Sequence, residues 1–262
     1  MFIITGGGTG IGRALALALA SRKQRVLVVG RREQPLQEVV SDSSLITALS
    51  ADVSSPDGRQ KVVDHVHDIP SLQGLIHCAG VIKPIVPVCD INEVDWQSVI
   101  STNLDTTLFL TQALLNKLGN GRVLQMESKM ADEPVKGLVA YCVSIAAVSM
   151  LIRCWKLEDP MMAITSVIPG VVNTDIPQAV ADADNVDDTY RAALKELKQE
   201  KRLLPPETVA LFLTWLLLDT EKSVYNSKTW DIYDDTHHDN WLVAPHVVVG
   251  QEIRAMRQKA SR

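Results

Sequence analysis

Short runs of aliphatic and β-branched residues alternate along the chain with longer stretches in which apolar residues recur every three to four positions. The runs at 2–5, 26–30, 45–51, 74–79, 122–126, 164–168 and 228–233 predict strands. Several are apolar at consecutive positions, as strands covered on both faces must be. Between them, residues 13–22 alternate Leu and Ala, both strong helix formers. Residues 57–68 place Val62, Val63 and Val66 on one helical face. Residues 93–118 predict one long helix stopped by Gly119, and Pro205-Pro206-Glu207 opens another that runs to about Leu218. Residues 137–157 are so uniformly apolar or small that the helix they predict must pack on more than one side. Strand–helix alternation of this kind predicts an α/β fold, a doubly wound parallel sheet of about seven strands with helices on both faces. No repeat or low-complexity linker interrupts it, so residues 1–262 read as a single domain. The most irregular stretch, 173–204, joins an acidic segment (Asp182, Asp184, Asp187, Asp188) to an amphipathic run at 190–201. It follows a strand end, where such sheets carry the loops that cover a ligand, and it is expected to cover the substrate.

Composition narrows the function classes. A chain that is 46% apolar and 22% charged can bury a sizeable core, and a net charge of −5 argues against a nucleic-acid partner. Cys78, Cys89, Cys142 and Cys154 show no Cys-x-x-Cys pair, so they read as free thiols. The chain opens on an apolar strand without a basic leader, and no apolar run approaches the roughly 20 residues of a bilayer span. A soluble, cytoplasmic protein with no membrane partner is expected. Asp231, Asp234, Asp235, His237, His238 and Asp239 cluster late in the chain but lack ligand spacing. They read as a polar surface loop, and no metal is expected. Trp241, Pro245 and the basic tail 254–262 read as a docking or frayed end.

The chemistry begins at Thr5-Gly6-Gly7-Gly8-Thr9-Gly10-Ile11-Gly12, between the first strand and the first helix. Glycines there allow a tight turn and let a pyrophosphate approach the backbone, while the helix start supplies unpaired N–H groups and a positive dipole end. The spacing is Gly-x-x-x-Gly-x-Gly, and it resembles the Thr-Gly-x-x-x-Gly-x-Gly motif of the short-chain dehydrogenase/reductase family. The resemblance extends from Phe2 to about Asp234. It implies a nicotinamide dinucleotide held by Gly6, Gly8, Thr9, Gly10, Ile11 and Gly12. Where NAD-binding members carry an acid after strand two, this chain has Arg31 and Arg32. A guanidinium fork suits a ribose 2′-phosphate, so NADP is expected rather than NAD. Asp52-Val53 is similar to the family's adenine-contacting pair, and Cys78-Ala79-Gly80 stands where Asn-Ala-Gly is usual. Asn103 matches the helix asparagine that supports a relay water. Pro169-Gly170-Val171-Val172-Asn173-Thr174 matches the segment beside the nicotinamide, which adds Pro169, Gly170, Val172 and Thr174 to the cofactor set.

By the same resemblance Tyr141 is the catalytic acid, also in contact with the cofactor, and Ser128, thirteen residues earlier, holds the carbonyl oxygen. The family's lysine four residues after the tyrosine is replaced by Ile145. An ordinary tyrosine has a pKa of about 10, and lowering it by ~3 units requires ~4 kcal/mol that an isoleucine cannot supply. Lys129 and Lys136 are near in sequence, but neither lies on the tyrosine's helix at a suitable offset. The expected function is hydride transfer between NADP(H) and a small carbonyl or alcohol, weakened by Ile145 and more impaired in oxidation than in reduction. The alternative is an NADP-binding sensor or assembly subunit without turnover. Trp230-Asp231-Ile232-Tyr233-Asp234 is similar to the sepiapterin and benzil reductase branch, and the family's habit implies a homodimer or homotetramer.

Overall fold

The computed structural model describes residues 1–248. In chain order the elements are β1 (Phe2–Thr5), α1 (Gly10–Ser21), β2 (Val26–Gly30), α2 (Glu33–Ser41), β3 (Ile46–Ser50), α3 (Pro56–His65), β4 (Gly74–His77), α4 (Glu93–Ile100) and α5 (Thr106–Leu118). They continue with β5 (Arg122–Met126), α6 (Val139–Glu158), β6 (Ala163–Ile168), α7 (Asp175–Ala181), α8 (Asp188–Gln199), α9 (Pro206–Leu218), α10 (Lys222–Asn226) and β7 (Trp230–Asp231). The strands form one sheet in the order β3-β2-β1-β4-β5-β6-β7, with every pair parallel. This is the doubly wound sheet expected from the strand–helix alternation.

Period-two alternation divides the apolar strands between two cores. Ile4, Val28, Ile76 and Leu124 face Leu15 and Leu19 of α1 and Phe212, Leu213 and Leu216 of α9. Ile3, Leu27, Leu75 and Val123 face Val62, Leu110, Leu114, Val148 and Ile152 on the opposite side. The order reverses between β1 and β4, which opens a crevice at the carboxyl ends of those two strands.

Several boundaries differ from expectation for identifiable reasons. The helix expected at 93–118 is interrupted by a π-turn, Ser101–Asp105, in which the Thr106 N–H reaches back to the Ser101 carbonyl. Hydroxyls pull the carbonyl ladder out of α-helical phase there: Ser101 Oγ donates to Gln97 O at 2.6 Å and Thr102 Oγ1 to Ser98 O at 2.8 Å. The run at 228–233 shrinks to a two-residue edge strand. Past it, Asp231 Oδ1 accepts the Tyr233 N–H at 3.0 Å and Asp231 O accepts the Asp234 N–H, turning the chain away from β6. Helices α2, α7 and α10 escape sequence detection because they are short and, in α2, mostly polar.

The residues read as a polar surface loop and a docking end are partly core. His237 is buried and stacks on Phe212 with ring centroids 4.9 Å apart. Trp241, also buried, donates from Nε1 to His237 Nδ1 at 2.8 Å, and His237 Nε2 faces Asp231 O at 3.0 Å. Since the indole can only donate and the carbonyl only accept, His237 is neutral with its proton on Nε2. Aromatic packing therefore claims these residues, leaving no surface loop at His237. The tail 254–262 lies outside the described residues. Contrary to the expectation from apolar run length, α6 reaches 20 residues with a mean hydropathy of 1.4, enough by length and composition for a bilayer span. Yet Val148 and Ile152 of α6 pack on the sheet and its first turn carries Tyr141, as befits a core helix.

Candidate active site

At the crevice, Thr5 Oγ1 accepts the Ala79 N–H at 3.2 Å and joins the end of β1 to the chain leaving β4. Two glycines in the following turn are dictated by space. Gly6 has φ +66°, and a Cβ there would lie 2.8 Å from Ala79 N; a Cβ on Gly12 would lie 2.4 Å from Gly6 O. Only a chain without these side chains lets α1 start directly against the turn, with its first N–H groups aimed into the crevice.

The turn forms one end of a cleft of about 570 Å³. Gly6, Gly8, Thr9, Gly10, Ile11 and Gly12 line it, joined by Asp52, Val53, Ala79 and Gly80. Arg31 and Arg32 stand exposed on the rim, and no described carboxylate pairs with either guanidinium. Asp52 has one carboxylate oxygen engaged, Oδ1 accepting the Ser54 N–H at 3.1 Å and its hydroxyl at 2.7 Å. Pro169 and Thr174 reach the cleft from the end of β6, whereas Gly170 and Val172 face an adjoining cavity. A glycine-cradled crevice at the start of α1 fits a dinucleotide diphosphate, and two guanidinia without a described carboxylate partner stand on its rim.

Asn103 lies in the π-turn and is buried. Its Oδ1 accepts the Val81 N–H at 2.9 Å, while Nδ2 donates to Val81 O and to Ser144 Oγ, each at 2.9 Å. Its carbonyl accepts from Thr107 Oγ1 at 3.3 Å. The side chain is thus fully committed to tying three segments together: the chain after β4, the π-turn and α6.

Ser128 follows β5 and caps a short turn, its Oγ accepting the Met130 N–H at 3.2 Å. The Ser128 and Tyr141 side chains line the same cavity, and the serine hydroxyl favours the ionised form of the phenol. Burial pushes the Tyr141 phenol above its ordinary pKa, and the neighbouring Tyr190 and Cys142 add to the rise; Ser128 opposes it only in part. Ile145, 5% exposed, is one helical turn along α6 and lines the cleft beside Tyr141. No cation on α6 replaces the expected lysine: Arg153 and Lys156 lie about 18 and 22 Å farther along the axis. Lys136 is exposed, and Lys129 is paired with Asp231, Nζ to Oδ2, at 2.7 Å.

Tyr141 also lines, together with Ser128, a second, mostly apolar cavity of about 200 Å³ that adjoins the cleft. Residues 173–204 form one wall as an excursion pinned at its neck, where Leu204 N donates to Val171 O and Asn173 N to Leu204 O, both at 2.9 Å. Val180, Val186 and Leu194 of the excursion pack on Ile82, Val135 and Leu138. Its acidic run stays at the surface, with Asp184 and Asp188 pairing with Arg191. The lining also includes Lys129 and Tyr233, which the sequence did not assign to the site. Tyr233 gives no local signal, because its approach depends on the turn after β7.

A glycine-cradled crevice joined to a cavity that holds a serine and a tyrosine defines a dinucleotide-dependent oxidoreductase of the doubly wound class. The family model described as short chain dehydrogenase matches residues 1–185, and the chain belongs to the short-chain dehydrogenase/reductase family. Sepiapterin reductase of Bos taurus is 29% identical over 236 residues, covering 82% of this chain and 88% of that protein. An uncharacterized oxidoreductase of Schizosaccharomyces pombe is 27% identical, covering 84% of this chain and 91% of that one. In three dimensions a short-chain dehydrogenase/reductase of Saccharomyces cerevisiae superposes with a TM-score of 0.85 at 21% identity, covering 92% of this chain and 99% of its own. The chain is therefore an oxidoreductase by family, and that family uses a nicotinamide cofactor on small molecules.

Proposed function

We propose that this protein is an NADP(H)-dependent reductase of small carbonyl compounds, built as one domain, in which residues 173–204 cover the substrate. The observation that carries the reading is Tyr141 standing where cleft and cavity meet, with Ser128 beside it in the cavity. A bound nicotinamide supplies hydride, and the chain supplies the rest. The glycine turn and α1 hold the diphosphate, with Arg31 and Arg32 gripping the 2′-phosphate. Asp52 and Val53 flank the adenine, while Ala79, Gly80, Pro169, Gly170, Val172 and Thr174 bound the nicotinamide half. Ser128 donates to the carbonyl oxygen of the substrate, and Tyr141 gives it a proton.

Ile145 weakens this arrangement without abolishing it. In reduction Tyr141 starts as a phenol, the form its burial favours, and only the tyrosinate left behind lacks a counter-charge. Alcohol oxidation needs that tyrosinate at the outset and is the more impaired direction. The same isoleucine supports the second reading, an NADP-binding sensor or assembly subunit without turnover. Titrating the protein with NADPH and NADH by fluorescence, then following NADPH consumption with a panel of ketones, separates the two. Binding with consumption supports the reductase; binding without it supports the second reading.

The exposed apolar side chains of Phe109 on α5 and of Val143, Met150 and Leu157 on α6 supply an association face for a homodimer or homotetramer in the cytoplasm. Light scattering of the purified chain tests this.

A further inference from the structure

We propose that Glu127 is the proton reserve of the site. Resting on the reductase reading above, Glu127 re-protonates Tyr141 through water in the cleft during carbonyl reduction, so that the charge left by the reaction ends on a carboxylate and not on the phenolate.

Position singles this residue out. Among the described residues that line both the cleft and the cavity (Ile11, Glu127, Tyr141, Pro169, Thr174 and Ile176), Glu127 and Tyr141 are the ones with a titratable side chain. The pairing of β5 with β6 continues one residue past Met126, where the Glu127 N–H donates to Val167 O at 2.8 Å. The alternation of the strand turns the Glu127 side chain towards α6, beside Ser149, with Ser166 of β6 also near. Tyr141, Ile145 and Ser149 follow one another at intervals of four on a single stripe of α6. The carboxyl thus sits along the stripe that carries the tyrosine, on the far side of the residue that replaces the lysine. Glu127 is buried, and its Oε2 meets no hydrogen-bond partner among the described residues. A buried carboxyl with an unengaged oxygen is most stable as the neutral acid, the form that has a proton to give.

The direction of transfer follows from ordinary acidities. Reduction adds hydride to the carbonyl carbon, and the oxygen takes the Tyr141 proton as the phenol O–H bond breaks. The tyrosinate left behind has Ile145, not a cation, one turn along its helix. Carboxylic acids release a proton at a pKa of about 4, phenols at about 10, and burial raises both groups here, so the order between them is kept. A proton leaving the Glu127 O–H through a bridging water re-forms the phenol, and the charge comes to rest on the carboxylate. There the Ser166 and Ser149 hydroxyls and Arg153 favour the charged form, Lys156 is drawn to it, and Asp132 opposes it. When the product leaves, solvent returns a proton to Glu127, so the proton gained by the alcohol comes in the end from water.

The test follows NADPH oxidation across pH with whichever of a series of simple aldehydes and ketones, from acetone to benzaldehyde, the native protein reduces fastest. It compares the native protein with Glu127→Gln, which keeps the shape and removes the acid, and with Glu127→Ser as a smaller second variant. In the native protein kcat is expected to fall as pH rises and Glu127 loses its proton. Either variant should lower kcat about tenfold on the acid side of that fall and abolish the fall itself, with KM and the NADPH dissociation constant within about threefold. A kcat and pH profile that both variants leave unchanged would overturn the proton reserve while the reductase reading stands. So would a loss of kcat that keeps the native pH dependence, because that is what a merely structural side chain would give. A native protein that binds NADPH but reduces no member of the series would overturn the reductase reading, and the reserve with it.

Discussion

Asn103 donates its side-chain amide to the Ser144 hydroxyl at 2.9 Å, and Ser144 in turn donates to the Tyr141 carbonyl at 2.8 Å, so the π-turn holds the start of α6 in place. Asn103→Ala would leave the Val81 N–H and C=O and the Ser144 hydroxyl without this partner. A loss of about 2–4 kcal/mol is expected, read from the urea midpoint, with a larger proportional fall in turnover than stability alone would give. Unchanged stability would show that water replaces the amide.

Ile145→Lys should return a cation one turn from Tyr141. The phenol, now held high by burial, would fall by about 2–3 units, and the pH at which alcohol oxidation begins to rise would fall with it. Oxidation should gain more than reduction, because only oxidation starts from the tyrosinate. Burying the ammonium is expected to cost some melting temperature. Identical pH profiles for the two proteins would show that residue 145 has no part in the chemistry.

Arg31 and Arg32 stand free at the cleft rim, so replacing both with Ala should act on the phosphate alone. Losing charge-assisted hydrogen bonds to a dianion should weaken NADPH binding by about 10–100-fold while leaving NADH within about threefold. Fluorescence titration gives both constants. Equal weakening of the two nucleotides would place the 2′-phosphate elsewhere.

Two buried groups bend the stability profile in opposite senses. Burial lowers the His77 pKa from 6.5 to about 3, its Nε2 meeting Thr111 Oγ1 at 2.9 Å and its Nδ1 unpartnered. The unfolded chain takes up that proton first, so stability falls as pH drops from about 6.5 towards 3, by a few kcal/mol at most. Glu127 is raised by burial, the nearby Ser166 and Ser149 hydroxyls opposing the rise only in part. Here the folded chain holds the proton longer, and stability is lost as pH rises from 4.5 through the folded value. Urea midpoints across this range should lose part of the acid limb in His77→Gln and part of the rise-side loss in Glu127→Gln. A parallel profile in either variant would acquit that residue.

What sequence alone reveals follows the range of the interactions involved. The seven strands and the glycine turn are legible because their causes are local: β-branched runs, and a turn that admits no Cβ at Gly6 or Gly12. Ser128 and Tyr141 are legible through a motif, and the structure brings them to one cavity. The break after Ile100 is not, since it arises from hydroxyls choosing carbonyls four residues back within an apparently continuous helical pattern. His237 looks like a surface histidine because its aromatic neighbours, Phe212, Trp215, Trp230 and Trp241, come from three separate parts of the chain. Lys129 and Tyr233 meet only through Asp231, across two strands.

A π-turn contains one residue more than α-helical winding would use for the same advance. Excising a single residue within Ser101–Asp105 would therefore let α4 and α5 fuse into an uninterrupted rod whose buried sides, with Val99, Leu110 and Leu114, keep their orientation. The rod would still pack on the sheet, but nothing would bulge towards Val81 and Ser144. One surplus residue in the winding thus separates what this chain needs in order to fold from what it needs in order to assemble its catalytic corner.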